Sequence, residues 1–178
     1  MKIRILGNSC SGKTTLTTSL SKYYQINCLH MDAISFVPDT NFVRRDVELC
    51  HQDIAQFLQA NNKWVIEGNY LSRLSKHFLY PDILICIDLP IEQSLCNYEK
   101  RFVEFKGKSR PELPNLIEND KQEMIDWIKS YPERKPRIQQ YVLNEQLQNP
   151  FVHILHLEDM SEVIALCNNP EILLGFFA

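Results

Sequence analysis

One segment near the start of the chain constrains the fold more than any other: a glycine-containing loop between an apolar run and a helical pattern. Residues 3–6 form a short apolar run, typical of a buried β-strand, that leads directly into Gly7. The stretch 13–24 then carries apolar side chains at helical spacing, at Leu16, Leu20 and Tyr23. The chain has only 5 glycines, and Gly7 and Gly12 both lie in this loop. The order of strand, loop and helix favours an α/β fold.

The loop sequence Gly7-Asn8-Ser9-Cys10-Ser11-Gly12-Lys13-Thr14 satisfies the pattern G-x-x-x-x-G-K-[ST]. Backbone N–H groups in such a loop, together with the N-terminus of the following helix, attract phosphate groups. A chance match in an unrelated loop is the alternative, and the flanking strand and helix argue against it. We therefore predict that ATP binds here, with Lys13 on its β- and γ-phosphates and the Thr14 hydroxyl on Mg²⁺. The expected ATP contacts are Gly7, Asn8, Ser9, Cys10, Ser11, Gly12, Lys13, Thr14 and Thr15.

Strand-like and helix-like patterns alternate along the rest of the chain. Further strands are predicted at 26–30, 64–66, 82–88 and 151–157. Helices are predicted at 46–60, 71–79, 91–102, 118–131 and 136–148, with a last one opened by a capping box at 159–162. Residues 31–44 are predicted as a loop or irregular helix, and 104–115 as a polar surface excursion. This alternation predicts a parallel sheet with helices on both faces, within one domain spanning residues 1–178.

Composition narrows the function classes. The 19 Lys and Arg residues against 22 Asp and Glu give a net charge of -3, which argues against a dedicated non-specific nucleic-acid binder. No apolar run approaches the ~20 residues needed to span a bilayer. The N-terminus lacks the apolar core of a secretory signal, so a cytoplasmic location is expected. The 6 cysteines have no C-x-x-C spacing and are expected to be reduced thiols.

Acidic residues follow three of the predicted strands, at the edge where parallel strands end. Glu67 is our candidate second ligand of Mg²⁺, because the following Gly68 permits close approach of the backbone. Asp88 stands before a helix and is interpreted as structural. Asp32 follows the second strand and could orient or deprotonate an acceptor hydroxyl; a solvated loop aspartate or a helix cap is the alternative. His30 is interpreted as a structural, hydrogen-bonded residue.

Arginines are candidate catalytic residues because phosphoryl transfer requires cations that neutralise charge on the moving oxygens. The chain has 8 arginines. We predict catalytic roles for Arg101, Arg134 and Arg137, which flank the polar excursion or follow it, and an acceptor contact for Arg73. Further candidates are Arg44, Arg45 and Arg110. For each of these residues, a solvated surface charge is the alternative.

Several segments together resemble one protein family. They are the glycine loop, Leu29-His30-Met31-Asp32, Trp64-Val65-Ile66-Glu67-Gly68-Asn69-Tyr70, the DILICIDLP strand, Lys106-Gly107-Lys108-Ser109-Arg110-Pro111 and Tyr131-Pro132-Glu133-Arg134. Over residues 1 to about 140, the chain resembles the bacterial adenylate-kinase-like proteins known as DNA topology modulation (FlaR) proteins. The wider similarity is to nucleoside monophosphate kinases.

This resemblance implies a three-layer P-loop NTPase fold, with a five-stranded parallel sheet in the order 2-3-1-4-5 and a helical lid at about 104–117. It places Glu67-Gly68 where those kinases have an acidic-Gly pair, and Arg73 near their acceptor-phosphate arginine. Arg101 matches the arginine that ends the helix before the lid, and Arg134 and Arg137 would lie on the returning lid helix.

We therefore expect a Mg²⁺-ATP-dependent small-molecule kinase that acts on a nucleotide or nucleoside. The expected acceptor contacts are Asp32, Gly68, Asn69 and Arg73. If Asp32 acts as a base, the acceptor carries a hydroxyl; if Arg73 is the main contact, the acceptor is already a phosphate. The alternatives are a shikimate-type kinase of a small hydroxyl acceptor, or an ATP-binding switch protein linked to DNA topology through the basic segment 100–110. Direct DNA or membrane binding is not expected, and the oligomeric state is left open.

Overall fold

Five short apolar strands lie side by side as a parallel sheet in the computed structural model, which describes residues 1–38, 40, 42–71, 77, 79–117 and 121–177. The strands in chain order are β1 (Lys2–Gly7), β2 (Asn27–His30), β3 (Trp64–Glu67), β4 (Ile83–Ile87), β5 (Ser109–Arg110), β6 (Leu113–Ile117) and β7 (His153–Leu157). The five-stranded sheet has the order β2-β3-β1-β4-β7 with every pair parallel. All residues of β3 and β4 are buried, as expected for strands covered on both faces.

Helices cover both faces of this sheet. In chain order they are α1 (Lys13–Tyr24), α2 (Met31–Ser35), α3 (Val47–Ala60), α4 (Ile91–Phe105), α5 (Lys121–Lys129), α6 (Tyr131–Gln148), α7 (Met160–Asn168) and a 3₁₀ helix (Pro170–Phe177). Successive side chains of a strand point to opposite faces, so Ile83 and Ile85 pack towards α1 and α7, whereas Leu84 packs towards α6. The α/β architecture with a parallel sheet is therefore as expected, and compatible with a three-layer fold.

A β hairpin occupies the segment that the sequence predicted as a surface excursion and, by resemblance, as a helical lid. Strands β5 and β6 pair antiparallel, with Arg110 opposite Leu113. Pro111 stands between them at the second position of the turn, where its fixed φ is suitable. Because the hairpin adds two strands before the final strand of the main sheet, that final strand is β7. The observed order, β2-β3-β1-β4-β7, therefore differs from the predicted 2-3-1-4-5 in its last member.

Helix boundaries also differ from prediction in the second half of the chain. Helix α6 begins at Tyr131, with a proline in its first turn, so Pro136 lies inside the helix and does not start it. The predicted helix at 71–79 falls mostly on residues outside the described ranges. The capping box of α7 is confirmed: the Asp159 side chain accepts from the backbone N–H groups of Ser161 and Glu162. Over the described ranges, every helix is too short or too polar to cross a membrane.

Candidate functional site

A cleft with a volume of ≈ 660 Å³ opens at the carboxyl edge of the sheet, where ligands of parallel α/β sheets usually bind. It lies among the glycine loop, α2, the turn after β3, α5 and α6. The predicted site residues that line it are Ser9, Lys13, Asp32, Arg44, Glu67, Gly68, Asn69, Arg134 and Arg137. Residues that line it without having been predicted are Tyr70, Leu71, Trp127, Ile138, Gln140, Tyr141 and Asn144.

The glycine loop joins β1 to α1 through an irregular backbone. Three of its residues have positive φ values: +150° at Gly7, +60° at Cys10 and +91° at Gly12. Turns with such φ values can point successive N–H groups inward and bind anions. Gly12 directly precedes α1, no side chain caps that helix, and its first turn contains no acidic residue.

Three asparagines attach this loop to the rest of the protein. The Asn69 side chain donates to Gly7 O at 2.6 Å and accepts from Gly7 N at 3.1 Å. The buried Asn8 donates through Nδ2 to Ile128 O at 3.1 Å, and Asn97 of α4 donates to Cys10 O at 2.9 Å. Asn8 was predicted to contact ATP and Asn69 to contact the acceptor, but in the structure both side chains bond protein groups. Asn97 was not predicted, because no sequence signal distinguishes it.

Helix α5 contacts the loop through Trp127. Its indole Nε1–H donates to Ser9 Oγ at 3.1 Å, and the Arg134 guanidinium stacks on the Trp127 ring at 3.7 Å from the ring centre. Arg134 also donates to Trp127 O and, at 3.4 Å, to Asn8 Oδ1. Arg134 thus reaches the loop as predicted, but it does so as part of a cluster with Trp127.

Lys13, Thr14 and Glu67 come together at the start of α1. Thr14 Oγ1 donates to Glu67 Oε1 at 3.3 Å. The Lys13 Nζ amine donates to Asn8 O at 2.6 Å, so its side chain folds back over the loop. Burial lowers the pKa of Lys13 despite the opposing negative charges of Glu67 and Asp32. The predicted carboxylate, hydroxyl and amine are therefore neighbours, although Glu67 is 53 positions away in the chain.

His30 fixes the Glu67 carboxylate. Its Nδ1 lies 3.1 Å from Glu67 Oε1, and its Nε2 lies 3.6 Å from Cys28 Sγ. Burial alone would lower the pKa of His30, but the hydrogen bonds to Cys28 and Glu67 outweigh it and raise that pKa to about 10. Burial opposes ionisation of Glu67 as well, yet His30 and Lys13 hold its pKa below the ordinary range. An ionised Glu67 therefore faces Thr14.

The chemistry of this pair fits Mg²⁺. Thr14 and Glu67 offer a hydroxyl and a carboxylate oxygen, the hard ligands that Mg²⁺ prefers. No cluster of three or more His, Cys, Asp and Glu side chains suited to a metal exists in the described ranges. Protein groups would thus supply two ligands, and Mg²⁺ usually takes its others from water and nucleotide phosphates. Asp88, the rejected candidate, forms an ion pair with Lys135 at 2.5 Å.

Asp32 and Tyr70 form the opposite wall of the cleft. The Tyr70 hydroxyl donates to Asp32 Oδ1 at 2.6 Å, and burial, followed by the charge of Asp32, raises the pKa of Tyr70. The hydroxyl therefore remains protonated. Arg44 lines the same cleft, and its positive charge acts to lower the pKa of Tyr70. Tyr70 stands in the motif 64–70, but no sequence signal distinguishes it as a site residue.

The other predicted arginines have different surroundings. Arg137 lines the cleft from an exposed position on α6. Arg101 lies 5.1 Å from the centre of the Tyr98 ring, and its charge acts to lower the pKa of Lys13, so it is near the loop. Arg110 pairs with Glu112 at 2.9 Å, and Arg45 pairs with Asp53. Arg73 lies outside the described residues.

Arg4 is a buried residue that sequence analysis missed. It stands in the middle of β1 with no exposed surface, and donates to Ile66 O at 3.0 Å and to Gly68 O. Burial lowers its pKa, while the nearby Tyr141 and Glu67 act to raise it. A charged residue within the apolar run 3–6, just before the glycine loop, was the available signal. Arg4 connects the central strand to the turn that carries Asn69 and Tyr70.

Comparison with known proteins adds little to these observations. No protein-family model matches the chain. No curated protein matches it either. Among solved structures, the chain is similar to an uncharacterized protein from Eubacterium ventriosum ATCC 27560, with 11% identity over 98% of each chain and a TM-score of 0.47.

Proposed function

We propose that this chain is a Mg²⁺-ATP-dependent small-molecule kinase of the P-loop class, with a nucleotide or nucleoside as acceptor. The observation that carries the proposal is the grouping of Lys13, Thr14 and Glu67 at the start of α1. Lys13 and Glu67 line the cleft that also contains Asp32 and Arg134. The resemblance of the quoted sequence segments to adenylate-kinase-like FlaR proteins supports the same assignment.

The proposed roles follow from the chemistry of each group. The backbone of residues 8–14 and the Lys13 amine bind the triphosphate, which requires Lys13 to leave Asn8 O for a phosphate oxygen. Arg134 and Arg137 approach the transferring phosphoryl group from α6, and Arg101 adds positive charge near Lys13. Asp32 faces the acceptor.

Thr14 and Glu67 are the residues that would hold Mg²⁺. When bound, the ion neutralises charge on the β- and γ-phosphates. His30 keeps the Glu67 carboxylate ionised and pointed at Thr14.

The first experiment measures ATP binding and ATP turnover by the purified chain with Mg²⁺, alone and with nucleosides, nucleoside monophosphates and small hydroxy acids. Lys13→Ala should weaken ATP binding and reduce turnover by about 10²-fold or more, because it removes the positive charge proposed to contact the transferring phosphate. Lys22→Ala is the matched control: Lys22 is an exposed lysine in the last turn of the same helix.

Unchanged turnover in a folded Lys13→Ala protein would contradict the proposed mechanism. ATP binding that no acceptor converts into turnover would instead favour an ATP-dependent switch protein.

A further inference from the structure

We infer that the acceptor presents a hydroxyl group to Asp32, and that Tyr70 aligns the Asp32 carboxylate for it. The inference rests on the proposed kinase function and narrows its substrate class: the reacting group is an alcohol, as in a nucleoside, a sugar or a hydroxy acid, and is not a phosphate.

The position of Asp32 is the first observation. Asp32 lies in α2, immediately after β2, and lines the same cleft as Lys13. Its negative charge is close enough to Lys13 to act on that amine. A group that faces Asp32 therefore lies near the phosphate that Lys13 would contact.

The hydrogen bonding of Asp32 is the second observation. Oδ1 accepts the Tyr70 hydroxyl at 2.6 Å. Counting only residues in the described ranges, Oδ2 has no hydrogen-bond partner, although Asp32 is half-buried. A cleft-lining carboxylate with one oxygen held by a donor and the other without a partner is arranged to accept a further hydrogen bond from an alcohol.

The rigidity of the Tyr70 segment is the third observation. Gly68 has φ +115°, and a Cβ there would lie 2.9 Å from Met31 Cβ and 3.3 Å from the Tyr70 ring. Asn69 is fixed to Gly7 by its two hydrogen bonds. The turn 68–70 is therefore packed between α2 and the glycine loop, so Tyr70 can hold Asp32 in one orientation.

The negative charge of Asp32 favours an alcohol acceptor over a phosphate acceptor. A phosphate acceptor would place a second anion against the Asp32 carboxylate, which like-charge repulsion disfavours. An alcohol is neutral and donates one hydrogen bond. Polar side chains further along the cleft, Gln140, Tyr141 and Asn144, can hydrogen-bond the remainder of such a molecule, and Arg44 and Arg137 can accommodate an acidic substituent.

Phosphoryl transfer to the alcohol exchanges one P–O bond for another. The acceptor oxygen forms a bond to the γ-phosphorus of ATP while the bond from that phosphorus to the β–γ bridging oxygen breaks. ADP leaves with those bonding electrons. The hydroxyl proton passes to Asp32 Oδ2 and then to water, and the product is a phosphate monoester.

The test uses the full chain with Mg²⁺-ATP and paired acceptors: each nucleoside with its own monophosphate, together with gluconate and shikimate. Phosphorus NMR of the products distinguishes a phosphate monoester from a phosphoanhydride. We expect monoester products. A phosphoanhydride product, or ATP turnover that no hydroxyl compound stimulates, would overturn the inference while leaving ATP-dependent chemistry intact. Absence of ATP binding would overturn the proposed kinase function, and the inference with it.

Two variants test the residues. Asp32→Asn should lower kcat by about 10²-fold or more with little change in ATP affinity. Tyr70→Phe should lower kcat about 10-fold, because the carboxylate loses a hydrogen bond that orients it. Asp46→Asn and Tyr23→Phe are matched controls, since Asp46 caps α3 away from the cleft and Tyr23 is exposed on α1. Full activity in folded Asp32→Asn protein would contradict the role given to Asp32.

Discussion

Gly7 shows how one residue determines whether the glycine loop can join β1 at the edge of the sheet. Its φ of +150° is strained for a side chain, and a Cβ would lie 2.4 Å from the backbone oxygen of Ile87. Strand β4 is the direct neighbour of β1 in the sheet, so this oxygen belongs to the framework and cannot move aside. The close packing of β1 and β4 therefore requires a residue without a side chain at this position.

Gly7→Ala should destabilise the protein by at least about 2 kcal/mol, through backbone strain and the contact with Ile87 O. Urea unfolding followed by circular dichroism measures this change. Gly175→Ala is the control, because a Cβ at Gly175 meets nothing within 4 Å. Equal stability of the two variants would show that the sheet can adjust at Gly7.

The residues of the site differ in how far sequence could predict them. Lys13 and Thr14 belong to a contiguous motif, and the strand-end rule was enough to place Glu67 beside them, as the structure does. Asn97 and Trp127 contact the loop through long-range packing of α4 and α5, which no local pattern encodes. Sequence could therefore predict the groups proposed to bind phosphate better than the groups that hold them in place.

At the scale of elements, α5 and the glycine loop form one connected unit. Trp127 of α5 donates a hydrogen bond to Ser9, and the Ile128 carbonyl accepts one from the buried Asn8 side chain. A rearrangement of the glycine loop, such as the proposed ATP binding would cause, would therefore be transmitted to α5. The hairpin of β5 and β6 precedes α5, so the same connection leads from the loop towards the segment expected to act as a lid.

Mg²⁺-ATP should change the fluorescence of Trp127 for this reason. The chain has 2 tryptophans; Trp64 is only 1% exposed in the core, whereas Trp127 is 45% exposed beside the loop. We expect Trp127→Phe to abolish the change in emission while ATP binding persists, which isothermal titration calorimetry would verify. An unchanged signal in Trp127→Phe would place the responsive group elsewhere.

Helix α7 depends on its capping box in a way that pH can test. The Asp159 carboxylate accepts hydrogen bonds from Ser161 and, with a smaller effect, from the Glu162 backbone, and these hydrogen bonds lower the pKa of Asp159. The stability that ionised Asp159 contributes is therefore present above the ordinary aspartate pKa and is lost as pH falls through the lowered value. The difference in unfolding free energy between wild type and Asp159→Ala should thus shrink in acid. Asp159→Asn, which caps without ionising, should show a stability with less pH dependence.

Helices and strands could be predicted where a hydrophobic pattern extends over many residues, and could not be predicted where short strands are joined by turns. Strand β4 is a continuous apolar run, and the capping box of α7 is a local signal. The strands β5 and β6, joined through Pro111, are too short to show the alternation of apolar and polar residues that predicts a β-strand. Pro136 resembled a helix start because proline favours that place, yet Pro132 already occupies the first turn of α6.

At the scale of the whole molecule, charge limits the partners. The net charge is -3, and several basic residues of the 100–110 segment are engaged: Arg110 with Glu112, Arg101 with the Tyr98 ring and Lys106 with the Phe102 ring. We expect no binding to a labelled DNA duplex by fluorescence anisotropy at about 50 mM salt. Tight binding that falls steeply with added salt would contradict this and support the DNA-linked alternative.

The buried guanidinium of Arg4 makes the packing of the central strand against the turn after β3 depend on one side chain. An apolar residue of similar volume at this position would leave the Ile66 and Gly68 carbonyls without their donor, and would remove a positive charge close to Glu67. A laboratory selection for heat resistance alone should therefore retain Arg4, although buried charges are rare in protein cores. The same side chain anchors the turn that carries Asn69 and Tyr70, so selection for stability and selection for an ordered cleft should act on Arg4 in the same direction.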